Sequence, residues 1–160
     1  MGGNSTGYTM QRLTCSPPNP PPGTTVRVVL ADMGMNRMMG GVAPMGSRMH
    51  LSAAPSQVSA GDVTFVAENR GWRTHELLIL PLAPGQSAGG RTAGPDGRVP
   101  EAGSVGEASA SCRPGPGTGI ESGSAGWFTV RLKPGRYEVL CNLPNHYAAG
   151  MSGDITVTVL

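Results

Sequence analysis

Apolar and polar side chains alternate in short stretches along this chain, and glycine and proline separate the stretches. Val26, Val28 and Leu30 alternate within residues 24–30, a segment rich in β-branched side chains, and a repeat of two sets such residues on one face of a strand. Residues 62–68 repeat the pattern with Val63, Phe65 and Ala67, and residues 48–53 follow it more weakly. Residues 75–80 become almost continuously apolar after His75 and Glu76, which suits a strand inside a sheet. Residues 127–132, 136–141 and 154–160 complete the set. Lys133-Pro134-Gly135 reads as a hairpin turn joining the first two of these. Several short strands, Gly/Pro turns and no helical period predict an all-β chain built as a β-sandwich.

Between the strands the pattern fails in three places. Residues 1–24 are polar and end in a proline run through Pro17, Pro18, Pro20, Pro21 and Pro22. Such a run favours extended polyproline conformation and buries little, so 1–24 reads as an arm or linker and 25–160 as the domain. A second break carries Met33, Met35, Met38, Met39, Met45 and Met49 among glycines and Pro44, a loop composition. The third, about 83–125, is rich in Gly and Pro and poor in large apolar side chains. A segment so long without a pattern reads as an irregular insertion. With 25 Gly and 15 Pro in 160 residues, the branched residues are concentrated in the strands.

Charge removes some functions. Twelve Lys and Arg stand against ten Asp and Glu, a net of +2, and they are scattered, so no basic stripe awaits a nucleic acid. No apolar run approaches the roughly 18 residues that span a bilayer, so membrane association would need a segment absent from this chain. Met1-Gly2-Gly3-Asn4 lacks the charged start and apolar stretch of a secretory leader. That leaves either a cytosolic protein or a mature form.

The chemistry concentrates in residues 141–151. Cys141, His146 and Met151 leave one compact loop between two predicted strands, and His75 opens an earlier strand. Taken singly, each is an ordinary packing or loop residue. Together, one thiolate, two imidazoles and a thioether form the donor set of a blue-copper electron-transfer site. Zinc would prefer another Cys, His or carboxylate in place of Met. A catalytic Cys-His pair would need an orienting Asn or Asp and oxyanion donors, which nothing here announces. His50 reads as a strand residue.

The run Tyr137-Glu138-Val139-Leu140-Cys141 through Met151, with Thr74-His75-Glu76-Leu77, resembles the cupredoxin family, specifically its small type 1 blue-copper proteins of the sulfocyanin, rusticyanin and auracyanin kind. Four residues separate His146 from Cys141 and from Met151, spacing that suits this branch. The resemblance covers roughly residues 25–80 and 126–160. It implies a Greek-key, cupredoxin-like β-sandwich in which His75, Cys141, His146 and Met151 hold one mononuclear copper. The family often has Gly before the second His; here Asn145 stands there, a residue that tolerates left-handed backbone. Copper enzymes of the family place a His beside the Cys, whereas Cys141 is flanked by Leu140 and Asn142.

The resemblance therefore implies an electron carrier, not an enzyme, acting as a monomer between a redox donor and an acceptor such as a cytochrome or oxidase. His146 would face solvent as the electron port, with Leu143 and Tyr147 on the docking surface. Such proteins work outside the cytosol, in secreted, periplasmic or outer-face tethered form. There, Cys15 and Cys112, not needed for metal, would join in a disulfide. The alternative is copper handling, with Cu(I) buffered or delivered through the Met-rich loop, because thioethers suit Cu(I).

Overall fold

The structure, a computed structural model, describes residues 17–32, 49–108 and 119–159. Cys15, Cys112, their expected disulfide and all the loop methionines except Met49 lie outside the described residues.

Among the described residues nine strands form two sheets: β1 (Thr24–Ala31), β2 (His50–Ala54), β3 (Gln57–Ser59), β4 (Gly61–Asn69), β5 (Leu77–Leu82), β6 (Gly106–Ala108), β7 (Ala125–Leu132), β8 (Gly135–Leu140) and β9 (Ser152–Thr158). The first sheet runs β2-β1-β4-β7 and the second β3-β9-β8-β5-β6. β1 and β4 are parallel, as are β3 and β9, and the other neighbours are antiparallel. Among the described residues there is no helix, and so none long and apolar enough to cross a membrane. The all-β sandwich expected from the alternation is what the chain forms.

The alternating positions meet between the sheets. Val26, Val28 and Leu30 of β1 and Val63, Phe65 and Ala67 of β4 share one core with Ile79, Val139 and Ile155 of the opposite sheet. Phe65 stacks on Phe128 with ring centroids 5.4 Å apart, directly opposite it in the β4–β7 register. Removing so large a buried ring typically costs about 3–5 kcal/mol.

β5 explains its continuous apolar run by being covered twice. Leu77 and Ile79 enter the main core, while Leu78 and Leu80 face outward into a second cluster with Leu140, Tyr147, Val99 and Ala93. Val99 and Ala93 belong to the 83–125 segment, so described residues of this stretch roof the outer face of the second sheet. It also supplies β6, a three-residue strand too short to show in the sequence pattern.

The expected hairpin at Lys133-Pro134-Gly135 is not formed. β7 lies at the edge of the first sheet and β8 at the centre of the second, so Lys133 and Pro134 carry the chain across the sandwich. A Pro-Gly signal marks a change of direction but not the sheet that receives the next strand.

Candidate metal centre

Strand ends deliver the predicted donors to one end of the sandwich. Cys141 directly follows β8, Met151 directly precedes β9, and the loop between them carries His146. The loop is closed at its base by Cys141 N–H donating to Met151 C=O (3.2 Å) and above it by Met151 N–H donating to His146 C=O (3.2 Å). His75 comes from the other side, two residues before β5, held by paired backbone hydrogen bonds to Ile120.

Three of the four expected donors meet. One donor atom each from His75, Cys141 and His146 lies within 4.8 Å of the others. Sγ of Cys141 is 3.4 Å from Nδ1 of His146 and 3.9 Å from Nδ1 of His75, and the two Nδ1 atoms are 3.2 Å apart. Met151 is fully buried in the core cluster that contains Cys141. His50 stands apart, exposed at the start of β2 and paired in register with Ala31.

Their surroundings keep the two imidazoles in ligating form and the thiol protonated. Burial, with the neighbouring His75 and Arg73, pushes the His146 imidazole down to about 4, so it is neutral at neutral pH. Burial also lowers His75, against the opposing pull of Asp32. The Cys141 thiol is pushed up to about 12 by burial, so a metal must displace its proton. Glu76 N–H donates to Sγ at 3.3 Å, a bond that would withdraw charge from a bound thiolate.

Sequence reasoning missed Asp32. This buried carboxylate, one residue past β1, meets Nε2 of His75 at 2.9 Å and accepts from the N–H groups of Trp72 (2.8 Å) and Arg73 (2.7 Å). With Nε2–H directed at Asp32, the Nδ1 lone pair is left for a metal. Only Gly fits at position 71, because a Cβ there would collide with the Asp32 carboxylate. Asn69 fixes the same turn: its amide donates to the carbonyls of Arg73 and Ile120 (both 2.7 Å) and accepts from Gly71 N–H (2.8 Å). No spacing motif links Asp32 to His75, so only the fold reveals the pair.

Two loop expectations part company. Asn145 does take left-handed backbone, with φ 70°. Tyr147 does not lie on a docking surface: it is 4% exposed, and its hydroxyl donates to Glu138 (2.7 Å) and accepts from Arg91 N–H (3.0 Å). A loop tyrosine reads as exposed until a second segment covers it, and here that segment is the insertion. Leu143 is half-buried against the main core. Trp72, not singled out from sequence, is the exposed aromatic beside the Asp32 turn.

The donor set fits a soft, borderline metal. One thiolate with two imidazole nitrogens suits copper or zinc, and a buried thioether nearby suits copper.

No family model matches the chain, and no curated protein does. Solved structures do resemble it. Reduced rusticyanin is 23% identical, with 85% of this chain and 81% of that one covered and a TM-score of 0.48. Dithionite-reduced auracyanin from Roseiflexus castenholzii is 16% identical, with 84% and 97% covered and a TM-score of 0.48. Auracyanin B is 18% identical, with 85% and 90% covered and a TM-score of 0.47. All three scores fall below 0.5, so the fold assignment rests on the two sheets and their register.

Proposed function

We propose that this chain is a cupredoxin that carries single electrons through one mononuclear type 1 copper, which His75 Nδ1, His146 Nδ1, Cys141 Sγ and the Met151 thioether would hold. The observation that carries this reading is the meeting of two neutral imidazole nitrogens and one thiol within 4.8 Å, at a place the ligand spacing had named. Copper, when bound, would supply the Cu(I)/Cu(II) couple. The chain's part is to fix the donors so that little reorganises between the two states. Apolar burial of Cys141 and Met151 disfavours the more highly charged oxidised site and raises the potential.

His146, 9% exposed against 0% for His75, provides the edge through which an electron would pass to a protein donor or acceptor. The carrier reading, as opposed to an enzyme, is supported by Leu140 and Asn142 on either side of Cys141, where copper enzymes of the family place a His. An extracytoplasmic setting accords with a copper thiolate site and is part of the same proposal.

Titration with Cu(II) after full thiol reduction tests it: an intense band in the red at one equivalent is expected, lost in Cys141→Ser. Absence of the band in the unsubstituted protein overturns the assignment.

A second reading, Cu(I) buffering or delivery by the Met-rich segment, is favoured by where that segment is tethered. It leaves from Asp32, which holds His75, and returns at Met49, whose N–H donates to Ala149 C=O of the ligand loop (3.2 Å). Two or more Cu(I) per chain with rapid transfer would favour handling; one tightly held, redox-cycling copper favours the carrier.

A further inference from the structure

We infer that residues 89–101 form a strap that holds the 141–151 loop in its ligating arrangement before metal arrives, with Asn142 and Glu138 as positioning residues. The inference rests on the copper reading for the purpose of that arrangement, but the arrangement itself is measurable without copper.

The residues beside the donors, and not the donors themselves, are tied to the strap. Asn142, next to Cys141, accepts from Val99 N–H (2.8 Å) and donates to Val99 C=O (3.0 Å) and to Glu101 Oε2 (2.7 Å). Its buried amide thus spends its bonds on one short piece of the strap. Asn145, just before His146, donates its N–H to Gly97 C=O at 2.9 Å. Gly97 has φ 78°, and a Cβ there would collide with Asn145. Tyr147, just after His146, donates to Glu138, whose carboxylate also takes Gly89 N–H (2.7 Å) and the Arg91 guanidinium.

A roof over Leu78, Leu80 and Leu140 would need only apolar contacts. The strap instead buries a carboxylate and an amide, which is costly unless every bond is made. Among the described residues every buried side-chain N and O has a partner. A fully satisfied polar network specifies one arrangement more sharply than apolar packing does. The loop needs such outside support, because Pro144, Asn145 and Ala148 are exposed and anchor nothing in the core.

The test compares metal-free wild type, Asn142→Ala and Arg91→Ala by hydrogen exchange. The amides of Asn145, His146 and Ala149 should exchange at least about tenfold faster in both variants, while those of β4 and β7 keep their rates. After copper loading, the red band and the potential should shift in both, which loss of a remote structural contact would not produce. Unchanged exchange at the three amides, or acceleration spread evenly over both sheets, overturns the inference. If Asn142→Ala fails to fold, Arg91→Ala decides alone, since its side chain is 17% exposed. Intact exchange differences with no blue band even in wild type would support the strap and overturn the copper reading.

Discussion

The two walls of the centre are built by opposite means. The His75 wall is a tight turn fastened from beneath: Asp32 and Asn69 bind its backbone and ring, and His75 is sealed from solvent. The His146 wall is a loop between two strand ends, positioned by contacts from a distant segment, and it reaches solvent. The first wall sets an imidazole and hides it. The second carries its imidazole on a loop whose Pro144, Asn145 and Ala148 are exposed, and shares hydrogen bonds with segments outside the loop.

The sharpest way to separate the walls is to delete each imidazole. His75→Gly and His146→Gly should both abolish the blue band, but added imidazole should restore it only in His146→Gly, where the gap opens outward. Restoration in both, followed by absorption, would erase the difference. Next in size is Asp32→Ala. Losing the partner that fixes the His75 ring should weaken copper binding by about 10–100-fold, with Asp32→Asn retaining more; competition with a chelator measures this, and equal affinities would mean the ring is held without the carboxylate.

Met151→Gln probes the floor between the walls. A harder oxygen donor favours Cu(II), so the potential should fall while copper stays bound. An unchanged potential in voltammetry would show that Met151 does not hold the metal.

The smallest effect is a pH trend in the metal-free protein. Glu107 is raised to about 7 by burial and then by the carboxylates of Glu76 and Glu101. Between its ordinary 4.5 and about 7 the unfolded chain has lost that proton and the native one keeps it, so its contribution falls as pH rises. His146 works the other way: the unfolded imidazole takes a proton below 6.5, the native one only near 4, so its contribution grows as pH rises. Glu107→Gln removes the falling part, and its denaturation midpoint should climb more steeply than wild type between about pH 5 and pH 7. Parallel curves would show that Glu107 titrates normally.

What could be read in advance follows from what each element depends on. β1 and β4 depend on alternation and β-branched residues, which are local properties, so they stood out. The donors stood out because thiol, imidazole and thioether are rare and their spacing is local. β3 and β6, three residues each, are too short for a period to emerge. Asp32 meets His75, 43 residues away, and Glu138 meets Arg91, 47 residues away. Glu138 alternates with Tyr137 and Val139 of the core, a position that predicts solvent. It is buried because the strap, whose composition carries no period, lies over it. Tyr147 was misplaced for the same reason.

Cys141 has a further consequence in the metal-free protein. Its sulfur is sealed from solvent, with a thiol pushed up to about 12, and the thiolate is the form that oxidants and alkylating reagents attack. A residue so starved of thiolate is chemically durable. The metal-free chain is thereby protected from losing the sulfur to peroxide or to a stray disulfide, and a thiol reagent at neutral pH should label Cys141 only on unfolding. Burial thus gives the empty protein a long shelf life, which a bound metal would end by drawing off the proton that keeps the sulfur inert.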